Sequence, residues 1–218
     1  YNRSEAALNT AQAGGMATGR DNYTWPEIVL VLAVMVFALK GTRKMDARTQ
    51  QIATYYGIDY GWAAEVVKTS RELGTNPWWL AAVISLESTW QPEARNDVTD
   101  ATGLIQFIPS TARSLGTTVD IIRDMSVRDQ FRLIRRYFGR EHSGRTTYPT
   151  FQTIAMQVFY PAARSWDRDR EFSARVQESN PNIRTVGDYL DYAERRLPRE
   201  MRSDVDSQAT IDVAWVQA

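Results

Sequence analysis

No cysteine occurs anywhere in the 218 residues, which excludes disulfides and thiolate metal sites. The single histidine, His142, is too little imidazole for a histidine-built metal site or a Ser-His-Asp relay. It stands in the polar run 139–145 and reads as a surface loop residue. Net charge is missing too: 26 basic residues balance 26 acidic ones, so the basic excess of a nucleic-acid binder is absent and no nucleic-acid partner is expected. Internal repeats and runs of alternating apolar and polar residues are also lacking, which turns the expected fold class toward mostly α. What is present is apolar and aromatic residues, 43% and 11% of the chain. That suffices for one domain of ordinary size with appendages.

Residues 1–24 are polar, rich in Ala, Gly, Asn and Thr, and without periodicity. They read as an arm, flexible or ordered by partner chains. Residues 28–39 are twelve consecutive apolar residues, preceded by Tyr23 and Trp25 and followed by Lys40, Arg43 and Lys44. Aromatics ahead and cations behind match the two interfaces of a membrane. Twelve falls short of the roughly 17–25 apolar residues a spanning helix needs. Residues 25–44 are therefore read as a single apolar helix anchoring the chain, with membrane contact over residues 25–41. A helix buried in protein is the alternative. A signal peptide fits poorly, because a polar arm precedes the run and no small-x-small cleavage site follows it.

Residues 43–51 read as a charged linker. The stripe Trp62, Val66, Val67 and Leu73 predicts a helix over 59–73 stopped at Gly74. Asn76 reads as an N-cap with Pro77 in the first helical position, and that helix runs to about Trp90. Pro109 opens a short helix ending at Gly116. Ser126 and Asp129 form a capping box ahead of Val127, Phe131, Ile134 and Phe138. Further helices are predicted over 150–160 and 186–196, the latter capped by Thr185. A small hairpin is placed between residues 95 and 102. The main domain spans 45–198 and leaves a tail, 199–218.

Within the helix capped by Asn76, Leu80, Val83, Ile84 and Glu87 fall at i, i+3, i+4 and i+7 and share a face. A carboxylate on an apolar face loses hydration, and its pKa rises. Such an acid can deliver a proton near neutral pH. Glu93, Asp97 and Asp100 are the acids nearby, all in a polar loop where solvation is the ordinary state. Gln106 stands among apolar Leu104, Ile105 and Phe107, where an amide is costly unless paired. Its mixed donor and acceptor character suits an N-acetyl sugar. Gly103 is a place where backbone can approach a ligand closely. Trp78, Trp79 and Trp90 are either core or stacking surfaces.

The blocks Glu87-Ser88-x-Trp90-x-Pro92-x-Ala94-x-Asn96, Ala101-x-Gly103-Leu104-Ile105-Gln106-Phe107 and Thr111-Ala112 resemble the soluble lytic transglycosylase family, which has a lysozyme-like fold. Phe159-Tyr160-Pro161-Ala162 partly echoes that family's third block, Ala-Tyr-Asn-Ala-Gly. The resemblance covers roughly residues 60–164. Ile105 replaces a usual Met, Asp100 a common Gly, Pro161 an Asn and Ala163 a Gly. The Phe-Tyr-Pro run is closer to phage-borne members than to cellular ones.

The resemblance implies a substrate, peptidoglycan glycan strands, and no cofactor or metal. It implies Glu87 as the catalytic acid and base. Ser88 and Tyr160 would hydrogen-bond it or the sugar, and Gly103, Gln106 and Phe107 would line the sugar site. Cleavage between N-acetylmuramic acid and N-acetylglucosamine would leave a 1,6-anhydro product. A hydrolytic muramidase using Asp97 or Asp100, or a structural wall-binding protein with a degenerate site, are the alternatives. The cationic flank at residues 40–44 would place the following domain in the cytoplasm by the positive-inside rule, away from peptidoglycan. A protein carried in a phage particle with virion partner chains, and acting on the wall during genome entry, escapes that conflict.

Overall fold

The computed structural model describes residues 46–202, which belong to one compact unit beginning at Met45. The polar arm, the apolar segment 25–44 and the tail beyond Arg202 lie outside the described residues. Among the described residues no helix is long and apolar enough to cross a membrane.

The first helix, α1 (Ala47–Tyr56), occupies part of the stretch read as a linker. Asp46 makes the difference: its carboxylate accepts from both the backbone N–H and the hydroxyl of Thr49, and Thr49, Ile52 and Ala53 turn inward. A capping acid inside a charged run looks like linker when only charge is counted. Helix α2 (Tyr60–Glu72) starts at Asp59 and is followed by Gly74 in left-handed backbone, φ 53°.

Helix α3 (Pro77–Ser88) is the axis of the domain. Asn76 accepts the Trp78 N–H at 2.9 Å, and Pro77 takes the first turn, as its fixed φ allows. Nine of the twelve residues are buried; only Trp78, Leu86 and Glu87 are not. The apolar stripe of the sequence is thus part of a helix apolar on every side, which must be enclosed. It is enclosed by α1, by α2, by α8 (Phe151–Phe159) and by α10 (Val186–Glu194).

Two short helices, α4 (Pro109–Ser114) and α5 (Val119–Asp124), lead into α6 (Val127–Phe138). The Ser126 hydroxyl accepts the Asp129 N–H and donates to its carboxylate, as the sequence pattern demands. Helix α6 packs on α2, and Arg135 ties them by donating to Glu65 at 3.0 Å and Thr69 at 2.8 Å. His142 lies in the short α7 (Arg140–Ser143), half-buried with its ring 5.0 Å from that of Tyr137, so the loop placement is corrected. Helix α9 (Ala174–Ser179) and 3-10 turns at Pro161–Ala163 and Arg199–Met201 complete the described elements. The hairpin predicted at residues 95–102 is reduced to isolated antiparallel bridges, Arg95 with Thr102 and Thr102 with Phe107.

One buried side chain stitches the loop after α3 to the rest. Gln130, on α6, is fully buried. Its Oε1 accepts the Leu104 N–H at 2.8 Å, and its Nε2 donates to the carbonyls of Pro92 at 2.6 Å and Ile122 at 3.0 Å. Replacing it by Ala would orphan two buried backbone groups and one part-buried one, the buried ones costing about 1–3 kcal/mol each. Gln130→Ala is therefore expected to lower the urea-unfolding free energy by about 3 kcal/mol; a loss under about 0.5 kcal/mol would show that the loop holds itself.

Candidate active site

Helix α3 delivers Glu87 to the point where the core ends. The chain then turns through Thr89 (φ 51°) and Trp90 (φ 64°), and Asp100 (φ 62°) and Gln106 (φ 53°) follow. Among the described residues these four are the non-glycine residues with left-handed backbone, and all lie within twenty residues of Glu87. Each costs on the order of 1–3 kcal/mol, and such strain gathers where a site must keep one shape.

Glu87 is half-buried and has no hydrogen-bond or ion-pair partner among the described residues. Loss of hydration pushes its carboxyl up to about 7. Its place in the last turn of α3 acts the same way, since the free carbonyls there gather negative charge. Two phenols feel its charge. The Tyr137 hydroxyl, pushed up to about 12 mainly by burial and also by Glu87, donates to the Gln157 carbonyl. The Tyr189 hydroxyl is raised well above its ordinary value by burial first and then by Glu87. It is buried without a hydrogen-bond partner.

The loop after α3 is built on itself. The Gly103 N–H donates to the Ala94 carbonyl at 2.9 Å, the Asn96 N–H to Ala101 at 2.8 Å, and Thr102 and Phe107 exchange backbone bonds at 3.0 and 2.8 Å. The Gln106 amide nitrogen donates to the carbonyls of Ala94 (3.3 Å) and Gly103 (3.1 Å). Its oxygen stays open as an acceptor, and its side chain is half-exposed.

Gly103 has φ 87°, and a Cβ there would lie 2.7 Å from the Gln130 Oε1 and 2.9 Å from Ile122. The close approach seen at Gly103 is to that side chain. Phe107 is 2% exposed and meets Tyr137 edge to face at 5.8 Å. Ser88 is buried, and its hydroxyl donates to the Ile84 carbonyl at 3.2 Å. Tyr160 packs against Trp166 and Phe172, and no described hydrogen bond joins it to Glu87. Trp79 and Trp90 are core residues at 3% and 7% exposure, while Trp78 sits half-buried against Tyr55 and Tyr56.

No described hydrogen bond or ion pair joins the loop acids to Glu87. Asp100 is paired with Arg95, and Glu93 and Asp97 are exposed. Among the described residues no group of three His, Asp or Glu side chains could hold a metal ion.

Residues 66–131 match the family model of the Transglycosylase SLT domain. The match supports the lytic transglycosylase family, a peptidoglycan-degrading function and a peptidoglycan substrate, and the mostly helical domain fits a lysozyme-like all-α fold. No curated protein and no solved structure matches the chain. The transglycosylase match includes Glu87, Ser88, Gly103, Gln106, Phe107 and Gln130, and it ends before Tyr137 and Tyr189.

Those last three, Gln130, Tyr137 and Tyr189, escaped the sequence reading. Gln130 and Tyr137 lie on a stripe with Ile134 and Phe138. An amide on such a stripe carries the same signal that singled out Gln106. Tyr189 lies on the buried stripe Val186, Tyr189, Leu190 and Ala193 of α10, which reads as ordinary core. Only the packing of α10 on α3 brings its hydroxyl toward Glu87.

The carboxyl of Glu87 is raised from 4.5 to about 7, so the folded protein holds a proton there that the unfolded chain has lost. Stability therefore falls as pH rises through that window, and Glu87→Gln removes the effect. The variant is expected to match wild type near pH 4 and to exceed it by about 2–3 kcal/mol at pH 8. Equal stability at both pH values in urea titrations would show that Glu87 is not desolvated. Tyr189→Phe breaks no hydrogen bond and is expected to leave the unfolding free energy within about 1 kcal/mol of wild type, while turnover falls about tenfold. Undiminished turnover would remove Tyr189 from the site.

Proposed function

We propose that the chain is a peptidoglycan lytic transglycosylase that works with one acid. The observation that carries this reading is Glu87. It is an unpartnered, half-buried carboxyl pushed up to about 7 at the end of a buried helix, within the segment that matches the transglycosylase domain. Protonated near neutral pH, Glu87 gives its proton to the glycosidic oxygen between N-acetylmuramic acid and N-acetylglucosamine, and the bond from that oxygen to C1 breaks. The muramoyl C1 acquires oxocarbenium character. The Glu87 carboxylate then takes the proton of the muramoyl C6 hydroxyl, and O6 bonds to C1. The products are a free N-acetylglucosamine end and a 1,6-anhydro muramoyl end, and no water is consumed. Gln106, with its oxygen open, accepts from an amide or hydroxyl of the sugar.

A particle-borne role extends the proposal. The cations after residues 28–39 would set the catalytic domain on the cytoplasmic side of a host membrane, where there is no wall. A chain carried in a phage particle, in contact with membrane through residues 25–41 and with virion partner chains, would instead open the wall locally in the periplasm during genome entry.

Mass spectrometry of muropeptides released from purified peptidoglycan tests the chemistry. Wild type is expected to give anhydro-muropeptides and Glu87→Gln none. Products one water heavier, with reducing ends, would instead assign the hydrolytic reaction. Release by neither protein would leave wall binding.

A further inference from the structure

Beyond the region of Glu87, helix α10 forms one wall of a surface hollow. Its inner stripe, Val186, Tyr189, Leu190 and Ala193, is buried against the core, and α10 packs on α3 from that side. Residues 188, 191, 192 and 195 fall at i, i+3, i+4 and i+7 and form the opposite stripe. With the turn 179–183 after α9 they line an open hollow of about 630 Å³, within the size range of small-ligand sites.

The polar groups in this hollow divide into those already engaged and those left open. Asp188 accepts from the backbone N–H groups of Arg184 and Thr185, and Asp191 is paired with Arg168. The Asn180 amide nitrogen donates to the Val176 carbonyl at 2.9 Å, which leaves its oxygen free. Tyr192 presents a ring at 45% exposure. The Arg195 guanidinium and the Asn182 amide are exposed and have no partner among the described residues. Asp188 is thus ionised but engaged by backbone N–H groups, and the charge of Asp191 is offset by Arg168. What remains is an aromatic face, a free cation and amide groups pointing at one space.

An aromatic face takes the apolar side of a sugar ring, amides meet hydroxyls and N-acetyl groups, and arginine takes a carboxylate. A sugar bearing an acidic substituent satisfies all three at once. We propose that the hollow between the 179–183 turn and the outer face of α10 is an accessory wall-binding site. It holds a muramoyl sugar of the glycan strand on Tyr192, with a carboxylate of its peptide stem on Arg195. The inference rests on peptidoglycan being the substrate and adds a second point of attachment on the face of α10 turned away from Glu87. Attachment at two points raises the local concentration of strand at the catalytic site.

The test uses the full chain carrying Glu87→Gln, sedimented with insoluble peptidoglycan, with and without Tyr192→Ala and Arg195→Ala. Each added substitution is expected to weaken retention about tenfold, and Arg195→Lys to restore part of it. In the active background, the same substitutions are expected to leave turnover of a soluble tetrasaccharide muropeptide within about twofold, since a soluble substrate reaches Glu87 without first being held on the wall. Unchanged sedimentation of the double variant overturns the accessory site while leaving the catalytic reading intact. A parallel fall in tetrasaccharide turnover also overturns it, since α10 would then act on Glu87 through Tyr189. If the Glu87→Gln chain does not sediment with peptidoglycan at all, the substrate reading falls together with the site.

Discussion

Desolvation of one carboxyl is the constraint on which the rest of the domain depends. Glu87 cannot hold its proton near neutral pH unless water is kept from it, and water is kept from it because α3 is surrounded. The helices α1, α2, α8 and α10 all rest on α3, so the same burial that stabilises the domain tunes the acid at its end. Core packing and acid strength are coupled here. A core change that let α10 or α8 lift would hydrate Glu87 and let it ionise, with no residue of the site altered.

The loop that follows meets a different demand. Residues 101–105 and 107 are buried without belonging to a helix, so the shape of the loop must come from backbone bonds and from anchors beneath it. The exchanged bonds of Thr102 and Phe107 and the inward hydrogen bonds of Gln106 supply the first. Gln130 supplies the second, and Gly103 exists in the form it does because the Gln130 amide fills the space beside it. The strained backbone at Thr89, Trp90, Asp100 and Gln106 persists because this network over-determines it.

Where chemistry is local, the sequence was readable. Asn76-Pro77, Ser126 with Asp129, and Thr185 each cap a helix within a few residues of themselves, and each helix stands where its cap puts it. Glu87 was visible because its apolar neighbours are its own helical turn. Asp46 was lost because a cap in a charged run looks like any other acid. His142 was misplaced because the short α7 has only four residues and no apolar stripe. Tyr189 stands 102 positions after Glu87, and their proximity is a matter of tertiary packing, which no periodicity encodes. Gly103 was legible as a place of close backbone approach, but that the approach is to Gln130 depends on α6 crossing beneath the loop.

The arrangement around α3 bears on where the smallest working piece of this protein begins and ends. The matched segment, residues 66–131, holds the acid and its loop but excludes α1, α8 and α10. Excised alone, it would present three uncovered sides of an almost wholly apolar helix to water. It would aggregate before it could bind anything. A stable fragment must therefore take in α1, α8 and α10 beside the matched segment, and the Arg202 side chain adds hydrogen bonds to the carbonyls of Arg195 and Leu197. Similarity marks the chemistry, while solubility sets the boundaries.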